Sequence, residues 1–571
     1  MPDVGWPVDS TPNTRMPVYT RLNATDVLPD PVSPLGATLV WDRYIERGWA
    51  VGDVDDGCFD MSEIAEPSAA AGIFYGHLYV NMSASRLYGI RAGIGTDNVD
   101  AIWYGSHPDA PAHVAQEGDV NPSRTATLAE FSRWVMTTET FPALEEQTAL
   151  ANALRAERPD LSVLSNWGLL TRTRTVLPLE TYAWIGHNQT TKGTGAGPGL
   201  LYALGVDPSI VLTLIGAASD VDSATPAYDL WELSRQVTSD DTLTTLFGSV
   251  DDGLLERLRA QAPGFAKEFD EFLVRQGFRG PNEWDLGAPS WETHPELALS
   301  LVERLRHIDD SDSPAARRQE SARASVEALE QVLAQFPDPD VQAQIHQALA
   351  SARRFFAWRE RSKCNCIKVM HEARMPLIEL GRRLAADGKI DKPAHVFNAV
   401  ADELDELVAQ PETLRKVLAA RDEVRRELAG VQLPTFLIGT DDRPSWRQLP
   451  KRGETPPVKV SVGDVLIGGP GAPGVVRGRV RVVHNTSSID AFQPGEILVA
   501  PHTDPSWTPL FMVSAGVIVD VGSMVSHAMI VSRELGVPCV GGITDGTRRL
   551  PDGALVEVDG SAGTVTVLEL P

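Results

Sequence analysis

The stretch GSMVSHAMIVSRELGVPCVGG, residues 522–542, joins the end of a strand to a histidine and a short helix. Residues 516–520 (GVIVD) predict the strand, and small residues then lead to Ser526 and His527. Apolar residues at helical spacing follow over 528–535, before a glycine and a proline that end the pattern. This spacing places His527 in the first turn of the helix. Unpaired N–H groups and the positive end of the helix dipole there favour a neutral, nucleophilic imidazole and could hold a phosphoryl group.

Further motifs flank this stretch, namely GAPGVVRG at 471–478, EILVA at 496–500 and TDPSWTP at 503–509. Over about residues 465–570 the sequence resembles the phosphohistidine "swivelling" domain of phosphoenolpyruvate-utilising enzymes, such as pyruvate phosphate dikinase, phosphoenolpyruvate synthase and rifampin phosphotransferase. The family pattern G-G-x-x-S-H occurs here with Ser523 in place of its second glycine. The resemblance implies a domain in which His527 is phosphorylated and carries the group between two distant sites. It also implies that Ser526 and Thr503 bind the phosphoryl group.

Length and composition limit the number of domains and the kinds of partner that we expect. The chain has 571 residues, enough for about two to four domains. Its 51 Lys and Arg against 77 Asp and Glu give a net charge of −26, which argues against nucleic acid or a membrane surface as a partner. The sequence lacks an apolar signal core and a long uncharged apolar run, so we expect a soluble cytoplasmic protein. The four cysteines form no C-x-x-C pair, which indicates reduced structural thiols and no metal site.

The patterns divide the chain into two folded parts. Residues 1–18, rich in Pro, Asp, Ser and Thr, predict a loose tail, and 19–438 predict a mainly helical domain. A segment at 439–459, rich in Pro, Asp, Arg and Gly, predicts an interdomain linker before a small mixed domain at 460–571. The resemblance implies that 19–438 bind the substrate and that 460–571 are the phosphohistidine domain. The predicted fold class is thus a multidomain α+β protein, with a large mainly α-helical domain followed by a small β/β/α swivelling phosphohistidine domain.

Apolar spacing predicts the individual elements. In the first part it predicts a strand at 77–83 and helices at 35–47, 144–156, 226–236, 254–260, 296–307, 322–335, 341–361, 370–386 and 399–428. In the last part it predicts strands at 475–483, 496–499, 517–520, 554–558 and 564–568. Glycines at 193–199 invite a nucleotide-loop interpretation. No strand precedes them and no G-K-[S/T] follows, which favours a flexible turn at a helix start near the substrate cavity.

Two segments of the first part resemble rifampin phosphotransferase. Residues 19–34 resemble the start of its middle, substrate-binding domain, and three prolines within residues 29–34 exclude a helix there. FRGPNEWDLGAPSWE, at 278–292, resembles its run H-R-G-x-x-E-x-D-L-x-x-P-R-W, with a phenylalanine and a serine in place of the family's His and Arg. The resemblance implies that Arg279, Glu283 and Asp285 bind substrate or phosphate. From the residues alone, an Arg flanked by two acids can equally be a buried ion network that holds a loop.

Arg359, Glu360 and Lys363 share one face of a predicted helix, because they lie within four residues of one another. The two cations could clamp a phosphoryl group while Glu360 accepts the proton of an acceptor hydroxyl. The alternative is an ordinary surface Glu–Lys pair. The pattern R-E-x-x-K at this place resembles the helix that faces the phosphohistidine in rifampin phosphotransferase, which implies catalytic roles for these three residues together with His527.

The families named above also contain an ATP-grasp domain or a phosphoenolpyruvate-binding barrel that charges the histidine, and the sequence shows neither pattern. Three hypotheses follow. In the first, a separate ATP-grasp subunit that holds ATP and Mg²⁺ phosphorylates His527, while this chain binds no cofactor itself. The group then passes to a hydroxyl of a small organic substrate in the helical domain. In the second, His527 is a general acid/base without a phosphate donor, in a lyase, isomerase or hydrolase. In the third, the chain is a non-catalytic binding protein.

Tryptophans are spread over the helical part, at Trp41, Trp49, Trp103, Trp184, Trp231, Trp284, Trp291 and Trp358. Together they could hold a sizeable apolar acceptor. Scattered tryptophans are also what an ordinary core contains, so the sequence leaves both interpretations open.

Overall fold

The computed structural model describes residues 6–571 except 106, 217–221, 223, 440–442, 455, 457, 485–491, 504–506, 524 and 525. It confirms the predicted multidomain α+β class, because a large helical part is followed by a smaller part built around a mixed sheet. Among these described residues, no helix has both the length and the apolar character needed to cross a bilayer.

The helical part consists of many short helices around one long helix. Its α-helices, α1–α19 in chain order, are Ala24–Val27, Glu46–Asp55, Met82–Arg91, Thr96–Tyr104, Pro122–Thr137, Pro142–Ala156, Asn166–Val176, Pro178–Gly193, Ala196–Ala203, Pro208–Ile215, Thr225–Ser239, Asp241–Leu246, Leu254–Gln261, Pro263–Gln276, Pro295–Leu305, Pro314–Gln335, Pro339–Ala386, Leu404–Ala409 and Pro411–Ala429. A π-helix, Gly36–Ile45, precedes α2, and 3₁₀ turns lie at Leu161–Val163, Asp310–Asp312, Pro393–Asn398, Ala401–Glu403 and Trp446–Gln448.

The 48-residue helix α17 is the axis of this part, about 72 Å long at a rise of 1.5 Å per residue. Helices α6, α7, α8 and α9 pack along it. The prediction of two helices with a break near residues 362–369 is wrong. Ser, Cys and Asn in that segment are weak helix formers, which is why the sequence suggested a break. Neighbouring helices bury most of these side chains, and this packing outweighs the local preference.

A four-stranded antiparallel sheet covers the start of the helical part. Its strands, β1–β4, are Val18–Thr20, Ala71–Phe74, His77–Asn81 and Phe436–Ile438, in the order β2-β3-β1-β4. Because β1 pairs with β4, the chain returns to its own beginning just before the predicted linker. The predicted loose tail is instead packed over its described residues, since Val8, Asn13 and Met16 are buried and Val18 belongs to β1. Its apolar residues have neither helical nor alternating spacing, so no pattern in the sequence indicated this packing.

Two other predicted boundaries differ from the structure. The helix predicted over 399–428 is divided, because Pro411 occupies the first position of α19 and has no N–H to continue α18. The strand predicted over 77–83 ends at Asn81, whose side chain accepts a 3.0 Å hydrogen bond from Ala84 N–H and caps α3.

Described residues of the predicted linker are in contact with the helical part. Arg452 N–H donates to Gly430 O over 2.8 Å, and Val431 forms a bridge with Lys451. The linker bounds at residues 439 and 459 stay predictions.

Among the described residues, the last part is an eight-stranded sheet flanked by helices. Its strands, β5–β12, are Val465–Ile467, Gly469–Ala472, Val475–Val482, Ile497–Ala500, Gly516–Val519, Cys539–Gly541, Leu555–Asp559 and Thr564–Glu569, and helices α20–α22 are Thr508–Val513, His527–Leu535 and Gly546–Arg549. The strand order is β5-β12-β11-β7-β8-β9-β10-β6. Strands β7 to β10 are mutually parallel, and the other pairs are antiparallel.

The last part packs against the helical part through α20 and α21, which contact α15 and α16 respectively. One apolar cluster includes Trp291 and Leu301 from the helical part and Phe492 and Leu510 from the last part. The Arg533 guanidinium of α21 also lies 5.6 Å from the centre of the Phe356 ring on α17. These contacts bring the start of α21 against α17.

Candidate active site

His527 lies where the carboxyl ends of two neighbouring parallel strands meet. Strand β9 leads to His527 at the start of α21, and its parallel neighbour β8 leads to Thr503. The carboxyl ends of parallel strands lie at the same edge of a sheet, and ligands commonly bind at this edge. The prediction that His527 begins a helix is confirmed. Residues 504–506 and 524–525 of the two motifs lie outside the described part of the chain.

The backbone N–H and the ring Nδ1 of His527 have hydrogen-bond partners, whereas Nε2 has none among the described residues. Its backbone N–H donates to Asp26 Oδ2 over 2.9 Å, and its ring Nδ1 lies 3.1 Å from Thr503 Oγ1. The Phe511 ring meets the imidazole edge to face at 6.0 Å. Nε2 is buried and has no hydrogen-bond partner among the described residues. It is therefore the atom of His527 that is available to react.

Burial holds the pKa of His527 well below its usual value, because the imidazolium would lose its hydration. The Lys363 ammonium lowers this pKa further, and the Glu360 carboxylate opposes it. The imidazole is therefore neutral near pH 7, and the ring nitrogen without a proton keeps its lone pair.

Arg359, Glu360 and Lys363 of α17 line a small cavity of about 40 Å³ together with His527. Glu360 accepts a hydrogen bond from Arg359 Nη1, and Lys363 Nζ lies 3.5 Å from Glu283 Oε1. Glu360 and Lys363 are buried, so they do not form the solvent-exposed pair that was the alternative interpretation. Two cations beside an unpaired imidazole nitrogen create a favourable environment for an anionic group.

Arg279 and Glu283 support this cavity from the loop after α14. Glu283 lines the cavity with His527. Arg279 is fully buried, and it donates to Glu283 Oε1 over 3.1 Å and to Cys364 Sγ over 2.8 Å. Arg279 and Glu283 thus form a buried ion network. The same network holds the Glu283 carboxylate beside Lys363, where it lines the cavity.

Asp285 lies in a different network. Its carboxylate accepts hydrogen bonds from Ser33 Oγ and from Arg425 Nη2, the latter over 2.6 Å. It does not line the cavity that contains His527. Phe278, which stands where the family has a histidine, is buried in the core with its ring 5.1 Å from the Arg279 guanidinium.

Asp26 is the site residue that sequence reasoning missed. Helix α1 places its carboxylate at the start of α21, where Oδ2 accepts the His527 N–H. Oδ1 is buried and has no hydrogen-bond partner among the described residues. Burial raises the pKa of Asp26 to about 6, although the hydrogen bond from His527 opposes that shift. The available indication was its position in the proline-rich segment 19–34.

Ser526 occupies the N-cap position of α21 but makes no side-chain capping bond. The Asp26 carboxylate supplies the acceptor that a capping side chain normally provides. The Ser526 hydroxyl is instead unpaired among the described residues and lines a second, larger cavity.

This larger cavity, of about 170 Å³, adjoins the one that contains His527. Asp26, Val27, His187, Trp284 and Arg359 line both cavities. Burial lowers the pKa of His187 to about 3, so it is neutral. We call the larger one the aromatic cavity, because its lining includes eight aromatic side chains, those of Trp41, Trp49, Phe59, Tyr88, Trp103, Tyr104, Trp184 and Trp284. Five of the eight tryptophans noted in the sequence thus line one cavity, and Trp41, Trp184 and Trp284 among them also belong to the buried core.

Unpaired polar atoms also gather on the walls of this aromatic cavity. The buried atoms without a hydrogen-bond partner in the described part of the chain include Asn23 Oδ1, Asp26 Oδ1, Trp184 Nε1, Thr191 Oγ1, Trp284 Nε1, Arg359 Nε, Ser523 Oγ and Ser526 Oγ. Folded proteins rarely leave such groups unpaired, because each costs about 1–3 kcal/mol. In this cavity, water or the polar groups of a ligand can pair with these atoms.

Two protein-family models match the chain. Residues 183–360 match the rifampicin phosphotransferase fourth domain, and residues 492–563 match the mobile domain of phosphoenolpyruvate-utilising enzymes. The first match contains Arg359 and Glu360, and the second contains His527.

Individual relatives match over part of their length. An uncharacterized protein of Mycobacterium tuberculosis is 34% identical over 316 residues, which cover 55% of this chain and 33% of that protein. The rifampicin phosphotransferase of Streptomyces sviceus is 29% identical over 333 residues, covering 57% and 37% of the two chains. The rifampicin phosphotransferase of Bacillus cereus is 27% identical over 328 residues, covering 56% and 36%. The chain thus matches about a third of the length of these relatives. The chain is therefore similar to rifampicin phosphotransferase over residues 183–360 and to phosphoenolpyruvate-utilising enzymes over residues 492–563.

Proposed function

We propose that His527 carries a phosphoryl group from a donor to a hydroxyl of a small organic acceptor held in the aromatic cavity. One observation carries this proposal. The unpaired Nε2 of His527 lies in a small cavity with Arg359 and Lys363, and that cavity adjoins the aromatic cavity along shared walls. An acceptor in the aromatic cavity would therefore meet the phosphoryl group beside two cations that stabilise its charge.

The contacts of His527 suggest how the transfer proceeds. A proton on Nδ1, donated to Thr503 Oγ1, leaves Nε2 to carry the phosphoryl group. The acceptor oxygen attacks phosphorus, an O–P bond forms as the Nε2–P bond breaks, and neutral imidazole leaves. Arg359 and Lys363 balance the charge of the phosphoryl oxygens during this step.

The hydroxyl proton must pass to a base, and three carboxylates line the cavity that contains His527, those of Asp26, Glu283 and Glu360. Glu283 is already paired with Arg279 and Lys363. Glu360 is the base that the sequence predicts, and it accepts a hydrogen bond from Arg359. We assign the role to Asp26, because its Oδ1 is unpaired among the described residues and Asp26 lines both cavities. Its pKa of about 6 keeps it ionised at neutral pH and close to the value that suits a general base.

Charging of His527 requires a different arrangement of the two parts. Only 7% of His527 is exposed when the last part is docked, so a bulky donor cannot reach Nε2 there. We propose that the last part moves away about the linker predicted at 439–459, and that a separate ATP-grasp subunit holding ATP and Mg²⁺ phosphorylates His527 in that position. The last part then returns to the position described here for transfer.

Labelling tests this proposal. The protein is incubated with ATP or phosphoenolpyruvate, alone and with a candidate ATP-grasp protein, and the phosphate label is mapped. We expect acid-labile, alkali-stable phosphate that disappears in His527→Ala and persists in His346→Ala, a change at an exposed histidine of α17. A complete lack of label on His527 with every donor would contradict the proposal.

The same neutral, unpaired Nε2 would also suit the second hypothesis, a general base that needs no phosphate donor. That hypothesis predicts turnover of a bound substrate without any donor, lost in His527→Ala. Turnover that requires a phosphate donor would exclude it.

A further inference from the structure

We infer that the end of the aromatic cavity formed by Asp53 and Lys192 binds an ammonium group, so that the ligand of this cavity is an aromatic organic cation that also bears a hydroxyl. Identifying this ligand as the phosphoryl acceptor rests on the proposed function, whereas the binding of the ammonium group does not.

The first support is the charge balance at this end. Lys192 Nζ donates to Asp53 Oδ1 over 2.5 Å and also to Asp56 Oδ2, and all three side chains are buried. Asn188 donates to the same Asp53 Oδ1 over 2.8 Å. Two carboxylates around one ammonium leave one negative charge in excess. Asp53 Oδ2 has no hydrogen-bond partner in the described part of the chain, and Asp53 lines the cavity.

Neighbouring charged groups do not cancel this excess. Arg91 is already paired with Glu63 over 2.7 Å. Glu46, another acid near Asp53, accepts hydrogen bonds from the backbone N–H groups of Ala70 and Ala71 over 3.1 and 3.0 Å. A ligand ammonium on Asp53 Oδ2 would therefore complete an alternating row of charges, in which the carboxylate of Asp56 is followed by the ammonium of Lys192, the carboxylate of Asp53 and the ligand.

The second support is the aromatic surface around Asp53. Trp49 lies four residues before Asp53 on α2, so both side chains project from one face of the helix. The Tyr88 ring has its centre 5.1 Å from Lys192 Nζ, and Trp103 stacks on Tyr88 at 5.4 Å. All of these residues line the cavity. Aromatic faces attract organic cations, most strongly where water is excluded, and a carboxylate among them completes a site for an ammonium group.

Helix α8 gives the distance between the two ends of the ligand site. His187 lines both cavities and thus marks the end near His527, whereas Lys192 lies five residues further along α8. At 1.5 Å per residue this separates the two ends by about 7.5 Å. A hydroxyl at the His527 end and an ammonium at the Asp53 end can therefore belong to one molecule with an aromatic ring between them. The unpaired Nε1 groups of Trp184 and Trp284 offer donors to polar atoms along its length.

Three phenols that differ only in the group at one end test the inference. Tyramine ends in an ammonium, tyrosol in a hydroxyl and 3-(4-hydroxyphenyl)propionate in a carboxylate, and each keeps the phenolic hydroxyl at the other end. Isothermal titration calorimetry with the full chain should show tyramine binding about tenfold more tightly than tyrosol, with the propionate weakest. Asp53→Asn should reduce the preference for tyramine to about twofold or less while leaving tyrosol affinity unchanged, because the amide can still accept from Lys192.

Asp55→Asn is the matched control, because Asp55 is exposed on the same helix and its replacement removes the same charge. This variant should keep the tenfold preference. Equal affinities for tyramine and tyrosol, tighter binding of the propionate, or no measurable binding of tyramine would overturn the inference. Since binding requires no phosphate donor, a clear preference for tyramine combined with an unlabelled His527 would refute the proposed function and leave this inference standing.

Discussion

At the scale of single residues, the reacting end of the site is formed by contacts between the two parts of the protein. Asp26 of the helical part accepts the N–H of His527, and Thr503 of the last part fixes the imidazole ring. His527, whose Nε2 has no hydrogen-bond partner among the described residues, lines the same cavity as Arg359 and Lys363. The chemistry we propose consequently depends on docking, since neither part alone contains both the histidine and the cations.

Replacing Asp26 with asparagine should separate phosphorylation of His527 from transfer. Asparagine can still accept the His527 N–H through its carbonyl oxygen, but it cannot accept a proton from the acceptor. We expect His527 to be labelled as in the unchanged protein, and transfer to the acceptor to slow by about 100-fold. Single-turnover transfer from the phosphorylated protein measures this, with the exposed Asp97→Asn variant as the control.

The pH dependence of that transfer gives an independent check. Burial raises the pKa of Asp26 to about 6, so the carboxylate is ionised above pH 6 and protonated below it. Transfer should therefore decline as the pH falls through 6, and Asp26→Asn should lose this decline. If both proteins showed the same decline, Asp26 would not be the base.

Individual site residues could be predicted where a motif marks them. His527, Arg359, Glu360 and Lys363 lie in short patterns that resemble those of rifampin phosphotransferase, and this resemblance marked them as candidates. Asp26 has no such pattern, because its role depends on the docking of a domain about 500 residues away along the chain. Neither the aromatic cavity nor the surplus charge at Asp53 could be predicted, because residues from several distant elements form them.

At the scale of elements, the glycines at 193–199 act in helix packing. A Cβ on Gly197 would lie 2.4 Å from Ala348 O and 2.8 Å from Ala352 Cβ, so α9 approaches α17 closely only because residue 197 is glycine. At Gly199, on the same helix, an added Cβ would meet nothing within 4 Å. Alanine substitutions at these two positions therefore distinguish the effect of packing from the effect of helix propensity.

Alanine at these two positions should therefore have opposite effects. We expect Gly197→Ala to lower the free energy of unfolding by about 1–3 kcal/mol through overpacking. Gly199→Ala should leave it unchanged or raise it by up to about 1 kcal/mol, since alanine favours the helix. Thermal unfolding of the two variants measures the difference, and equal effects would show that the contact with α17 is unimportant.

Most elements with regular apolar spacing could be predicted from the sequence, and the exceptions have local causes. Residues 362–369 hid the continuity of α17, because their weak helix propensity is overcome by burial. Pro411 divided a helix that spacing alone would continue. The packed residues before β1 were missed because their burial depends on the strand Phe436–Ile438, which follows more than 400 residues later.

At the scale of the whole molecule, docking of the last part should depend on pH. Undocked His527 titrates near its ordinary pKa of about 6.5, and docking holds its pKa well below that value. Below about pH 6.5 the undocked form therefore binds more protons, and acidification favours undocking. Asp26 acts in the opposite direction, because docking raises its pKa from 3.8 to about 6. Between these pH values the docked form binds more protons, so acidification favours docking through Asp26.

Small-angle X-ray scattering between pH 7 and 5 can follow this equilibrium through the radius of gyration. We expect Asp26→Asn to expand at a higher pH than the unchanged protein, since only the contribution of His527 remains. His527→Ala should show no acid expansion, because only the opposing contribution of Asp26 remains. Identical profiles for the two variants would rule out these residues as the origin of the pH dependence.

³¹P NMR after treatment with potassium phosphoramidate shows directly whether Nε2 of His527 carries a phosphoryl group. This reagent phosphorylates histidines chemically, so the test needs no donor protein. We predict a phosphohistidine resonance with phosphorus on Nε2 that is absent from the spectrum of His527→Ala and disappears when an acceptor is added. A spectrum unchanged by His527→Ala, or phosphorus on Nδ1 of His527, would contradict the account.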